Sequence, residues 1–313
     1  MRARKSPRIV ALKLFKTKCK FPLIFLAAVN LCGCQAALFG ALGTLGGSTV
    51  QVRSDVVFDA AHQLALDVYR PARPALAPIV VFFYGGSWRD GKRSWYRYVG
   101  QALASRGVVV VVPDYRKYPQ VVFPAFVQDA ARAVAWAHAN AASIGGDPRQ
   151  LFVMGHSAGA HIGAMLATDA RYLDHEGMQP RDLSGFIGLA GPYDFAPFTD
   201  PELVAIFGSS LDSQRAAQPI NFVDGDEPPM LLLQGLTDKK VLPRNSPNLA
   251  ARMQATGEVA QCKFYPDVGH TKIALSLAPA FSRWSSALND TLEFITAQTR
   301  LSPDDQIQTD GLK

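Results

Sequence analysis

Cysteine is scarce in this chain, with four in 313 residues, and three of them (Cys19, Cys32, Cys34) fall within the first 34. Beyond that point only Cys262 remains, so the body of the chain cannot be a disulfide-stapled scaffold. Cys262 lies in the alternating run Ala260-Gln-Cys-Lys-Phe-Tyr265, where a half-buried structural thiol is expected. A true excess of positive charge is also lacking. The totals are 32 Lys+Arg against 26 Asp+Glu. Eight of the basic residues (Arg2, Arg4, Lys5, Arg8, Lys13, Lys16, Lys18, Lys20) precede residue 33, where no acidic residue occurs. Subtracting those eight leaves 24 basic against 26 acidic residues, and the electrostatic case for a nucleic-acid partner disappears. No H-E-x-x-H, paired Cys or clustered His/Asp set is present, and no G-x-G-x-x-G follows a strand-like run, so neither a metal nor a nucleotide cofactor is expected.

What is present at the amino terminus is a basic run followed by the apolar Phe21-Pro-Leu-Ile-Phe-Leu-Ala-Ala-Val-Asn-Leu31, the layout of a secretory signal. Leu31-Cys-Gly-Cys34 resembles the bacterial lipobox, which implies lipidation of Cys34 after cleavage and an anchor on the membrane. Two other outcomes stay open: an uncleaved spanning helix over residues 21–47, or cleavage and release. Each exports the domain, because the basic flank stays inside. The expected organisation is a signal segment over 1–33, a Gly/Ala/Leu-rich tether over 34–50, a catalytic domain over 51–298 and a polar tail over 299–313.

From residue 51 short β-branched runs alternate with helical patterns. Strands are expected at 64–70, 78–84, 108–114, 151–154, 186–190 and 230–234, and helices near 95–106, 124–143, 157–170, 245–256 and 281–298. Several of the strands are continuously apolar, as strands covered on both faces are. The alternation predicts right-handed βαβ crossovers and a doubly wound, mostly parallel sheet, with 52–70 supplying antiparallel edge strands. Residues 194–228, rich in Pro, Asp and Ser, read as an irregular excursion above the sheet.

Gly155-His-Ser157-Ala-Gly159 follows a strand and opens the Ala-rich helix that begins at Ala160. A sharp strand-to-helix turn needs small flanking residues and pushes the serine hydroxyl up at the carboxyl edge of the sheet. A serine nucleophile needs a base, and the base needs an orienting acid. Met230 to Asp238 is a buried run ending in an acid, and Phe264 to His270 is a run ending in a histidine, so both side chains are expected at that same edge. Asp194 and Asp267 also follow or end strands and compete with Asp238. His156 and His161 flank the serine and read as an elbow spacer and a packing residue. Amide donors for an oxyanion are expected from Ala158 and from Gly85 and Gly86 in the loop Tyr84-Gly-Gly-Ser-Trp88. Tyr84 and Trp88 are candidate pocket residues; Trp88, Trp95, Tyr96 and Tyr98 would either wall an acyl pocket or pack the loop onto the domain.

Taken with Gly91-Lys92, Pro113-Asp-Tyr-Arg116, Phe123-Pro124, Asp129, Gly145-Gly-Asp-Pro148 and Gly191-Pro-Tyr-Asp194, these motifs resemble the carboxylesterase branch of the α/β-hydrolases. That branch includes the hormone-sensitive-lipase-like, isoprenylcysteine-methylesterase-like, kynurenine-formamidase-like and bacterial feruloyl/acetylxylan esterase types. Tyr84 stands where the branch usually carries His. The resemblance implies an α/β-hydrolase fold of about eight strands with a short cap, and structural roles for Asp114 and Asp129 beneath the oxyanion loop. It implies a cofactor-free serine carboxylesterase acting on small esters. The alternatives are a formamidase or amidase on the same residues, or a non-catalytic surface binding protein on this scaffold.

Overall fold

The computed structural model describes residues 50–73 and 76–299. The signal segment, Cys34, the tether up to residue 49 and the tail from residue 300 lie outside the described residues. Eight strands form one sheet: β1 (Val50–Asp59), β2 (Leu64–Pro71), β3 (Ala77–Phe83), β4 (Val109–Pro113), β5 (Gly146–His156), β6 (Gly185–Leu189), β7 (Met230–Gly235) and β8 (Ala260–Tyr265). Their spatial order is β1-β2-β4-β3-β5-β6-β7-β8. β2 runs antiparallel to both β1 and β4, and every other neighbouring pair is parallel.

Residue chemistry accounts for this order. β3, β4, β6 and β7 carry consecutive apolar side chains, and Ile79 through Phe83 and Val109 through Val112 are all fully buried, so both faces of the central sheet are covered. β1 is mostly exposed and β8 leaves Gln261, Lys263 and Phe264 exposed, which suits the two edges. Cys262 on β8 is half-buried, and burial pushes its thiol up to about 11, where little reactive thiolate forms.

The main helices are α1 (Arg97–Ala104), α2 (Ala125–Ala139), α3 (Ala158–Thr168), α4 (Pro201–Phe207), α5 (Leu211–Ala216), α6 (Asn245–Ala255), α7 (His270–Leu275) and α8 (Ala287–Thr299). α3 is buried along its whole length, which explains its run of Ala and Gly: only small side chains let a helix sit this close to strands on one side and to α2 on the other. The expected helix at 281–298 starts later, because Pro279–Trp284 forms a separate 3-10 turn. The 194–228 excursion is less irregular than its composition suggests. It contains α4, capped by Asp200 with Pro201 at the first turn, and α5, capped by Ser210.

Candidate active site

At the end of β5 the chain reverses into α3 in a single residue. Ser157 takes φ 57°, ψ −121°, a region sparsely populated by residues with a Cβ and costing about 1–3 kcal/mol. Neighbouring contacts hold it there. The Ser157 amide donates to the Leu189 carbonyl at 2.9 Å, and its own carbonyl accepts from the His161 amide at 3.0 Å. A Cβ on Gly159 would stand 2.1 Å from the Phe83 carbonyl oxygen, so the elbow closes only with glycine at that position. The hydroxyl is thereby presented at the amino terminus of an 11-residue helix, where backbone N–H groups favour developing negative charge.

Two loops bring the partners. His270 opens α7 beyond β8, and its Nε2 lies 2.8 Å from Ser157 Oγ. Its Nδ1 lies 2.8 Å from Asp238 Oδ2, in the turn after β7. A carboxylate oxygen only accepts, so Nδ1 carries the proton and Nε2 is the bare nitrogen facing the serine. The second Asp238 oxygen accepts the amides of Lys240 at 2.8 Å and Val241 at 2.9 Å. Burial raises the Asp238 carboxyl, but the His270 hydrogen bond and charge, with those two amides, outweigh it and hold the group below its ordinary value. The competing acids go elsewhere. Asp194 accepts from the Asn248 side chain at 2.6 Å, and among the described residues the carboxylate paired with His270 is that of Asp238.

The loop after β3 folds against the elbow. Gly86 has φ 150°, and a Cβ there would meet the Asp90 carbonyl oxygen at 2.2 Å, so glycine is obligatory for this turn. Ser87 and Trp88 follow in the left-handed region. One expectation is corrected here. Tyr84 is not a pocket residue: it is fully buried, its hydroxyl donates to Asp114 at 3.0 Å and accepts from Lys117 at 2.9 Å, and its ring stacks on Tyr115. A side chain at the last strand position points back under the loop rather than out of it. Gly85 lies against the elbow, where a Cβ would stand 2.9 Å from His156 Nδ1 and 3.1 Å from Ser157 Cβ, so it stays beside Gly86 and Ala158 among the expected oxyanion donors. Ser87, which sequence reasoning passed over, lines the pocket beside Ser157. Asp114 also accepts from Arg93 at 2.7 Å, and Asp129 accepts from the amide and guanidinium of Arg116, so both stiffen the ground beneath this loop.

A cavity of about 450 Å³ opens over Ser157. One wall is Ser87 and Trp88, another is Phe195, Leu203 and Ile206 from the cap, and the third is Val241, Leu242 and Asn245. Trp88 stacks on Phe195 and meets Phe207 edge-on, with centroids 6.1 and 4.8 Å apart. Its indole N–H donates to His161 Nδ1 at 3.2 Å, while His161 Nε2–H donates to the Ala217 carbonyl at 2.8 Å. Burial holds the His161 imidazole down at about 4. His161 is therefore a neutral strut between the loop and the cap. Trp95, Tyr96 and Tyr98 pack against the core, the second of the two roles open for them. The aromatic run Phe195, Phe198 and Phe207 was the signal that residues 194–228 build a wall.

Strand order, elbow and the Ser–His–Asp line define an α/β-hydrolase. The BD-FAE family model matches residues 66–253, and the chain belongs to that family. It is 29% identical over 246 residues to the isoprenylcysteine α-carbonyl methylesterase ICME of Arabidopsis thaliana, covering 72% of this chain and 58% of that protein. It is 30% identical over 211 residues to esterase LipC of Mycobacterium tuberculosis, covering 61% of this chain and 52% of that protein. The chain thus spans little more than half the length of these curated relatives. Among solved structures, esterase B of Lactobacillus rhamnosis superimposes with a TM-score of 0.73 at 21% identity, over 93% of this chain and 99% of that one. Butyrate-bound esterase 2 of Thermogutta terrifontis gives 0.67 at 22%, over 82% and 96%. At these identities the structures speak for the fold.

Proposed function

We propose that this protein is a serine carboxylesterase that hydrolyses short-chain esters through an acyl-enzyme. The observation that carries the reading is the continuous line Asp238–His270–Ser157, with both links at 2.8 Å, beneath a cavity whose lining mixes Trp88, Phe195, Leu203 and Ile206 with the charged Asp200, Glu202, Lys240 and Arg244. Ser157 Oγ attacks the ester carbonyl as its proton passes to His270 Nε2, and Asp238 stabilises the imidazolium that forms. The amides of Gly86 and Ala158 bind the oxyanion. His270 then returns the proton to the leaving alcohol, and water, deprotonated by the same imidazole, releases the acid. Relatives named as a methylesterase and an esterase support ester chemistry.

The preference for acetate through butyrate rests on the cap. Residues 194–228 contribute two short helices, and the cavity over Ser157, about 450 Å³, is lined from that side by Phe195, Leu203 and Ile206 together with Asp200 and Glu202. Each methylene buried in a longer channel would add about 0.8 kcal/mol, so selectivity should level off early here. The test is kcat/KM across 4-nitrophenyl esters of two to sixteen carbons. A maximum between two and four carbons is expected; a maximum at ten or beyond overturns the short-pocket reading. An inactive ester series with a cleaved formamide moves the assignment to an amidase. The reading places the enzyme in the bacterial cell envelope, held by lipid on Cys34, on the strength of the basic and apolar residues that precede it.

A further inference from the structure

His156 precedes the candidate nucleophile and is almost fully buried. Both of its ring nitrogens are engaged, and the two bonds have opposite polarity. Nε2 lies 3.0 Å from the backbone carbonyl of His270. A carbonyl only accepts, so Nε2 carries the single proton of the neutral ring. Nδ1, 2.9 Å from the Tyr96 hydroxyl, is then bare, and the phenol must donate to it. Gly85 of the oxyanion loop packs against the same imidazole, where a Cβ would stand 2.9 Å from His156 Nδ1. One directional line thus runs from the Tyr96 O–H, through the His156 ring, to the backbone of the proposed base.

We propose that Tyr96 and His156 are positioning residues that tie the segment following the oxyanion loop to the backbone of His270, keeping Nε2 in register with Ser157 while the imidazole gains charge. The inference rests on the esterase reading. A space-filling histidine would not need this polarity, nor a second buried hydroxyl to complete it. His270 sits on a helix of only six residues, and the Tyr98 hydroxyl, two residues past Tyr96, donates to the Ala274 carbonyl of that same helix at 3.1 Å, so the two segments are joined near both ends of the helix. Burial, reinforced by the charge of His270 5.0 Å away ring to ring, holds His156 down at about 3. It therefore stays neutral while His270 cycles, and the line keeps its direction.

The experiment compares Tyr96→Phe, His156→Leu and His156→Gln with the unaltered enzyme. The readouts are kcat and KM on 4-nitrophenyl acetate, the rate of Ser157 phosphonylation by a 4-nitrophenyl phosphonate, and the thermal midpoint. Active sites are titrated so that rates refer to folded enzyme. Tyr96→Phe and His156→Leu are expected to lower kcat and the phosphonylation rate together by about 10- to 100-fold, the scale of an ångström-sized misplacement, with KM changed less than about threefold. His156→Gln keeps an N–H for the carbonyl and should recover most of the loss. The inference is overturned if Tyr96→Phe, the mildest of the three, retains kcat within twofold. It is equally overturned if His156→Gln is as slow as His156→Leu, or if the loss vanishes once counted per titrated site. Ser157→Ala is assayed alongside: retained activity there would defeat the esterase reading itself, whereas an inactive Ser157→Ala beside a fully active Tyr96→Phe defeats this inference alone.

Discussion

Asp238→Asn removes a charge and leaves the shape, and the surroundings dictate how the amide must sit. One carboxyl oxygen receives the Lys240 and Val241 amides at 2.8 and 2.9 Å. Only the carboxamide oxygen can satisfy those two donors, so the NH2 group is forced toward His270 Nδ1. Two donors cannot face each other. The imidazole therefore gives up its Nδ1 proton and carries it on Nε2, toward Ser157, where it can no longer accept the serine proton. The wrong tautomer in this arrangement costs about 10⁴ in kcat, or roughly 5 kcal/mol of transition-state stabilisation. Folding should suffer much less. The two amide bonds persist but weaken from charge-assisted to neutral, a loss on the order of 1–2 kcal/mol and a few degrees in Tm. The assay is kcat/KM on 4-nitrophenyl acetate with melting curves in parallel. Asp194→Asn and Asp267→Asn serve as controls because neither carboxylate reaches His270. A loss below about tenfold for Asp238→Asn, or a greater loss for Asp194→Asn, would refute the reasoning.

Gly159→Ala should destabilise the fold by about 3 kcal/mol or more, since its Cβ meets backbone atoms of Phe83 from 2.1 Å away; a urea midpoint unchanged from the parent would contradict this. Trp88→Phe leaves the buried His161 Nδ1 without its donor and should cost about 1–3 kcal/mol, read from the same denaturation curves. Buried and neutral at about 3 and about 4, His156 and His161 titrate near 6.5 once unfolded. Below that pH the unfolded chain binds more protons, so their contribution is complete above about pH 7 and is lost as the pH falls toward 4. Stability should drop by about 4 kcal/mol between pH 7 and pH 5 from these two groups, and a flat profile there would count against their burial as neutral rings. Cys34→Ser should release the domain from membranes or leave an uncleaved precursor, and unchanged membrane partition in fractionated cells would favour a spanning segment.

The parts legible from the sequence are those with a period or a fixed spacing. The continuously apolar runs of β3, β4, β6 and β7 announce a doubly covered sheet. The glycines around Ser157 announce the elbow, and Asp238 and His270 stand just past strands that the sheet must align with β5. Contacts between distant segments leave no local mark. Nothing near Tyr84 tells that its hydroxyl finds Asp114, 30 residues on, and so turns away from the pocket. Nor does the spacing of Tyr96 and His156, 60 residues apart, show that the elbow residue is hydrogen-bonded on both sides. The cap was underread for a different reason. Asp200-Pro201-Glu202 is a helix start by cap and proline rules, but the Pro- and Ser-rich surroundings mask it, because the two helices are short and carry too few turns to show a period.

The central claim, that Ser157 is the nucleophile of a serine esterase, is tested most directly by covalent trapping. The protein is treated with a 4-nitrophenyl alkylphosphonate, and released nitrophenol, residual esterase activity and intact mass are followed together. The account predicts one phosphonyl group per chain, located on Ser157 by peptide mapping, with activity lost in proportion to labelling and no adduct on Ser157→Ala. Full activity after exhaustive treatment, or labelling on another residue in step with inactivation, would contradict it.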